Sequence, residues 1–425
     1  MIKTYISLFK NKEIRNRILF TLAMLLIYRL GCGIPAPRID AVKLMAAASN
    51  NSIINMMNLL GGGSLQSFSV FALGVGPYIT ASIIIQLLSM DIIPYLSDLA
   101  KSGQQGRLQL DKVTRYLAVV MGFVQAFTMI YAYDVSYGIV INGGVANYLY
   151  ISTILTAGTM FLCWLGDRIS MHGIGNGTSM IIFAGIVAGL PYQFRTVFKD
   201  LTANSVAGGT AIFILYLLAY LLLVIGVIFM SQATRRIPIQ YSNSSVSRGR
   251  NDMTFLPLKI NSASVMPVIF AQAIMTGPKT IMSFFPTNAF SRAFSAIFDT
   301  SKWWGLLIYA VLIILFTFFY TDLEVDPEKI SENLSKNGSY IPGVRPGNDT
   351  VNYVKTILNR ITCIGAVALM FIALLPYLLV MFTPLPDSVS LGGTGIIIVV
   401  GVALETMKDL VGKLTQRNYK GFAGK

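Results

Sequence analysis

Residues Gly61–Leu88 read GGGSLQSFSVFALGVGPYITASIIIQLL, and the rest of the chain is organised around them. Three glycines and a mildly polar turn lead into an apolar helix interrupted by Gly74, Gly76 and Pro77. A simple membrane anchor needs neither a glycine-softened approach nor a polar face such as Thr80, Ser82 and Gln86. The stretch reads as a movable closure running into a pore-lining helix.

Working outward, the chain is 54% apolar and only 12% charged over 425 residues. Soluble domains carry about 25% charged residues, so the composition is that of a polytopic membrane protein. The net charge of +14 is explained by topology before any nucleic-acid role, because Lys and Arg collect on cytoplasmic loops. The basic, apolar N-terminus resembles a signal peptide but lacks a small-residue cleavage site, and is expected to be retained. Cys32, Cys163 and Cys363 sit in separate apolar runs, which excludes a disulfide scaffold and a cysteine metal site. The single histidine, His172, stands in no motif.

A helical span takes about 20 apolar residues. Ten are predicted, at 18–34, 71–93, 113–133, 149–165, 174–190, 211–230, 263–280, 304–320, 357–382 and 391–404. Basic residues gather at the N-terminus, at 101–115, 235–259 and 329–360, and in the tail, while alternate loops such as 134–148 hold few or none. This places both termini in the cytoplasm. Two cytoplasmic segments, 231–260 and 321–355, are long enough to act as docking surfaces, and the second presents Arg345 on a Pro/Gly turn.

Two halves of five spans each can be related only by an inverted repeat. Such repeats place the functional site where matching spans are short or broken by Gly and Pro. Span two has its break at Gly74–Pro77, and span seven is short and weakly apolar, with Asn261, Ser262, Pro267 and Gln272. Spans five and ten correspond through Gly175-Asn-Gly-Thr178 and Gly392-Gly-Thr394. Spans two, five, seven and ten are therefore expected around one axis. Its lining is apolar: Val75, Ile79, Ile182, Ile269 and Ile398. Hydrophobic constrictions of this kind gate by excluding water and ions.

A solute transporter usually keeps an ionisable residue near the midplane. Asp134, Asp167, Arg168 and Glu405 all fall at span ends. No nucleotide-binding loop is present, and Gly173-Ile-Gly-Asn-Gly177 follows no strand. The spans contain no nucleophile–base pair or metal-ligand set, so no enzyme activity and no cofactor is expected. A secondary transporter of a small amphipathic solute is the alternative to a passive conduit.

Over nearly its whole length the chain resembles the SecY family, the channel subunits of bacterial Sec protein translocases. The resemblance is carried by Phe71-Ala-Leu-Gly74, Pro77-Tyr-Ile79, Ala81-Ser-Ile-Ile-Ile-Gln-Leu-Leu88, Thr114-Arg-Tyr116, Gly173-Ile-Gly-Asn-Gly177 and the run Ile182–Pro191. Further matches are Arg235-Arg-Ile-Pro238, Leu256-Pro-Leu-Lys259, Glu332-Asn-Leu334 and Ile341-Pro-Gly-Val-Arg-Pro-Gly347.

The resemblance implies an all-α fold of ten transmembrane helices in two inverted, pseudosymmetric halves. These would be an N-terminal half, 1–190, an external hinge loop, 191–210, and a C-terminal half, 211–425. It implies a pore ring of Val75, Ile79, Thr178, Ile182, Ile269 and Ile398, in which Thr178 occupies a position that is usually apolar. It implies a plug made of Gly61, Gly62, Gly63, Ser64, Leu65, Gln66, Ser67, Phe68 and Ser69. Spans two and seven would form a lateral gate, with Thr80, Gln86, Asn176 and Asn261 as its polar residues. Arg235, Arg236, Arg248, Arg250 and Arg345 would bind the motor SecA or a translating ribosome.

The implied function is passage of unfolded secretory polypeptides across the bacterial cytoplasmic membrane and release of membrane helices sideways into lipid. The implied partners are the small subunits SecE and SecG, SecA, the ribosome, signal sequences with their precursors, and the lipid bilayer. Fewer basic residues than is usual in the family occupy 104–108 and 241–245. An accessory SecY serving restricted substrates therefore stands as a further alternative.

Overall fold

The computed structural model describes residues 12–40, 43, 68–89, 92–141, 143–203, 209–241, 254–282, 297–300, 302–382 and 388–420. In chain order the first helices are α1 (Lys12–Gly31), α2 (Gly76–Leu88), α3 (Pro94–Lys101), α4 (Gly103–Tyr137), α5 (Val145–His172), α6 (Gly177–Ala203) and α7 (Gly209–Gln232). Strands β1 (Thr234–Tyr241) and β2 (Thr254–Lys259) follow, then α8 (Met266–Met282), α9 (Trp303–Glu324) and α10 (Pro327–Lys336). The chain closes with β3 (Ser339–Tyr340), α11 (Asn348–Phe382) and α12 (Ser388–Lys420).

A helix stands at each of the ten places where the sequence predicts a span. Among the described residues, α4, α5, α6, α7, α9 and α11 are long and apolar enough to cross a membrane. The chain is thus a multi-pass membrane protein. In each half the second span is the short one: α2 has 13 residues and α8 has 17. Arg29 lies inside the first predicted span, yet it sits exposed two residues from the end of α1, where a long side chain reaches the interface.

Lipid supplies no hydrophobic drive between helices, so close packing and internal polar satisfaction hold them together. Gly158 of α5 lets the Val70 backbone approach; a Cβ there would lie 2.1 Å from the Val70 carbonyl oxygen. Gly401 of α12 takes in Val265 in the same way, with 2.1 Å to its Cγ1. Several buried hydroxyls bond back to their own helices, as in Thr156 to the Ser152 carbonyl at 2.7 Å and Thr317 to the Ile313 carbonyl at 2.7 Å. This leaves them satisfied where water is absent. Outward faces stay apolar: on α7, Leu218, Leu222, Ile225 and Phe229 are all exposed.

The apolar core is divided. One large cluster is built mainly by the C-terminal half, around Val227, Val268, Tyr309, Ile313, Leu369 and Ile397. The N-terminal half holds one cluster around Tyr28, Phe71, Val75, Leu162 and Ile181, and another around Phe68, Ile130, Ile151 and Leu155.

Two features depart from the sequence reading. Span five, expected to stop at Leu190 before a hinge loop over 191–210, continues as helix α6 to Ala203 with Pro191 in its interior. The extension packs Phe194, Val197 and Leu201 against Tyr216 and Tyr220 of α7, and that apolar pairing outweighs the hydrogen bond lost at the proline. The second feature is a small sheet at one end of the helical frame. Strands β1 and β2 pair antiparallel with Ile237 opposite Leu256, and the sheet order is β2-β1-β3. Ile237, Leu258 and Ile341 share a core with Val354 and Leu358 of α11. The described parts of the segments 231–260 and 321–355 thus fold as one unit, referred to below as the ribbon end. Pro238 and Pro257 argue against a strand in the sequence, and they hid this pairing.

Candidate functional site

The approach to α2 is anchored. Residues 61–67 of the expected plug lie outside the described residues; Phe68 and Ser69, its last two, are completely buried. The Phe68 carbonyl accepts from the Ala36 amide at 2.8 Å, and the Val70 amide donates to the Ile34 carbonyl at 3.1 Å. Phe68 meets Tyr133 edge-on, while Phe71 stacks between Tyr28 and Phe161. Gly74 turns the chain at φ +58°, a conformation that favours glycine. Pro77 then opens α2, where its missing N–H has no intrahelical partner to lose.

The apolar residues expected around the axis fall where the two half-cores meet. Val75 belongs to the N-terminal cluster and Ile398 to the C-terminal one, and Ile269 packs against the latter. Ile79 and Ile182 pack against both. Thr178 lies one turn before Ile182 and gives its hydroxyl to Asn176 Oδ1 at 2.7 Å.

Of the four polar residues expected at a lateral gate, three bond locally. Thr80 donates to the Gly76 carbonyl at 3.1 Å within α2. Asn176 is exposed and caps α6, accepting from the Thr178 amide at 3.1 Å. Asn261, five residues before the start of α8, donates to the Ser264 carbonyl at 2.8 Å, and its buried Oδ1 has no hydrogen-bond partner among the described residues. Such an orphan acceptor costs about 1–3 kcal/mol. Among the described residues, only Gln86 of these four bonds to another helix. Its Nε2 donates to Ser82 Oγ at 3.3 Å, and its Oε1 accepts from the Tyr320 hydroxyl of α9 at 2.6 Å. Helices α2 and α8 do touch, but this polar link bypasses α8. Sequence reasoning missed Tyr320 because a tyrosine at a span end reads as an interfacial aromatic.

The Gly173–Gly177 turn has three of its amides committed to neighbouring helices. Ile174 donates to Thr21 Oγ1 of α1 at 3.2 Å, Gly175 to Asp409 Oδ2 of α12 at 3.3 Å, and Gly177 to Ser170 Oγ of α5 at 2.8 Å. The turn is a structural knot rather than an anion cradle. His172 ends α5 beside the Phe20 ring.

At the ribbon end, Arg235 and Arg236 on β1 and Arg345 on its turn are exposed. Arg248 and Arg250 lie outside the described residues. The turn carrying Arg345 is fixed by backbone acceptors: Thr350 Oγ1 donates to the Arg345 carbonyl at 2.9 Å and Ser331 Oγ to the Gly347 carbonyl at 3.1 Å. Gly343 and Gly347 hold positive φ of 82° and 102°.

Fold and site together describe a polytopic helical membrane protein in two halves that meet along an apolar seam. The SecY family model matches residues 69–407. Protein translocase subunit SecY of Staphylococcus aureus is 44% identical over 432 residues, covering all of both chains. That of Bacillus licheniformis is 45% identical over 435 residues, covering 99% of each. The chain belongs to the SecY family. Among solved structures, a SecY channel described in terms of its plug domain and closed state aligns with TM-score 0.68 at 17% identity. It covers 93% of this chain and 92% of its own. Sec61 in the canine ribosome–channel complex aligns with TM-score 0.64 at 16% identity, covering 93% and 92%. Both share the fold.

Proposed function

We propose that this chain is a passive protein-conducting channel. It passes unfolded secretory polypeptides across the bacterial cytoplasmic membrane and lets membrane helices leave sideways into lipid between α2 and α8. The observation that carries the reading is the seam itself: Ile79 and Ile182 pack against the cores of both halves. Parting the halves opens a passage lined by aliphatic side chains, which resists water and ions until a chain fills it. Val75, Ile79, Thr178, Ile182, Ile269 and Ile398 form the ring. Residues 61–69 are the plug, anchored at Phe68 and Ser69.

The two halves are 1–203 and 209–425, with α6 and α7 joined at the outer face. Both termini and the ribbon end face the cytoplasm. There, Arg235, Arg236, Arg248, Arg250 and Arg345 receive SecA or a translating ribosome, since arginine suits both carboxylates and RNA phosphates. SecE and SecG complete the membrane complex. The channel performs no chemistry itself and draws its driving force from the partner. The translocase relatives at 44–45% identity support this over a small-solute transporter.

A disulfide cross-link tests it. In a chain with Cys32, Cys163 and Cys363 replaced by Ser, a cysteine is placed at Ile269 and a secretory precursor with its own cysteine is stalled in transit. An adduct at Ile269, absent from a control at exposed Val311, is the expected result. Arrested precursor without an adduct at Ile269 moves the passage off this axis and overturns the ring.

A further inference from the structure

We propose that Tyr320 is the clasp of the gate. Its hydroxyl reaches from α9 to Gln86 of α2, and that bond sets how much a signal helix must contribute to part the halves. The inference rests on the gate reading above, and deepens it by naming a residue that sets signal specificity.

The geometry is specific at both ends. The Tyr320 ring is held by Phe270 of α8, with centroids 4.8 Å apart, and by Phe319 at 5.5 Å. Phe270 also meets Phe316 edge-on. The phenol therefore travels with α8 and α9 as one aromatic block. On the other side, the Gln86 amide is oriented by its bond to Ser82, which leaves Oε1 for the phenol. Gln86 stands two residues before the last residue of α2, and Tyr320 four before that of α9, whose C-terminal end leads through α10 to β3. The clasp is therefore at the ribbon end, where a polypeptide would enter.

An apolar helix wedged between α2 and α8 offers no donor for Gln86 and no acceptor for Tyr320. It must outweigh their bond through its own packing, so a defective signal fails first. The strength suits a switch. Hydrogen bonds between membrane helices shift an equilibrium by about threefold on average and about twentyfold at most.

The test uses the channel complex with its small subunits in proteoliposomes. It compares transport of a precursor with an intact signal against one whose signal carries a charge in its apolar core. Tyr320→Phe keeps the ring and removes the hydroxyl; it should raise the relative transport of the defective precursor about threefold or more. Gln86→Leu should do the same, and the double variant should exceed neither, because one bond is lost in all three. A native ratio in Tyr320→Phe, or single effects that multiply in the double, overturns the clasp.

A second readout separates this from the channel reading. Spin labels at Ser89→Cys and Ser262→Cys, in a Cys363→Ser background, report the gate distance without precursor. A wider population in Tyr320→Phe is expected. If that widening appears but the native chain carries neither precursor, the clasp stands and the conduit falls. If the native chain transports and the distance does not change, the clasp falls and the conduit stands.

Discussion

Gly177 rests against Gly166: a methyl group on Gly177 would lie 1.8 Å from the Gly166 carbonyl oxygen. Backbone, not a flexible side chain, occupies the space, so α5 and the start of α6 meet this closely only because residue 177 is glycine. Gly177→Ala should destabilise the protein by about 3 kcal/mol, the upper end for overpacking. Gly412→Ala, on an open helical surface, should be neutral or stabilising by up to ~1 kcal/mol. Unfolding midpoints of the solubilised complex check both; equal midpoints for the two variants would refute the close approach.

Thr21 ties the same turn to α1. Its hydroxyl donates to the Arg17 carbonyl at 2.9 Å and accepts from the buried Ile174 amide. Thr21→Val preserves shape but leaves that amide unpaired, at a cost of about 1–3 kcal/mol. Thr21→Ser should recover most of the loss. Midpoints that fail to separate Val from Ser would show that the bond contributes nothing.

Asp326 caps α10, accepting from the Glu328 amide at 3.0 Å and the Lys329 amide at 3.3 Å. The Lys329 side chain bonded to the carboxylate, together with these amides, holds its pKa below the usual carboxylate value. A depressed folded-state pKa gives stability that is present above the unfolded value, near ~3.9, and is lost as pH falls through the folded one. Hydrogen exchange in α10 should therefore be slow at neutral pH, after allowing for intrinsic rates, and rise under acid. Asp326→Ala should raise it at neutral pH by an amount matching ~1 kcal/mol, and lose the acid response.

Arg345 is exposed, while its turn is fixed through its carbonyl and not its guanidinium. Arg345→Ala should leave folding intact and weaken binding of the proposed motor partner, SecA, roughly thirtyfold, the ~2 kcal/mol of an interface hot spot. Binding of purified motor to the reconstituted channel measures this. Native affinity in the variant would remove Arg345 from the docking surface.

The sequence by itself determined the places of the helices and the apolar character of the seam. Each spanning helix satisfies its own backbone hydrogen bonds, and in lipid that requirement is local, so unbroken apolar runs reveal it. The break at Gly74–Pro77 and the exposed arginine on its Pro/Gly turn were legible for the same reason: φ limits act residue by residue. The motif matches pointed to the family. Tertiary structure alone decided the rest. Gln86 and Tyr320 are 234 residues apart, and their bond exists only because α8 and α9 pack through Phe270. Thr80, Asn176 and Asn261 look equally suited in the sequence to bridge the proposed gate, yet each found a nearer backbone or hydroxyl partner. The pairing of β1 with β2 and the continuation of α6 past Pro191 depend on long-range apolar contacts at Ile237, Leu258, Val197 and Tyr216. A side chain's partner is set by which distant surfaces the fold brings within about 3 Å, and no local pattern encodes that distance.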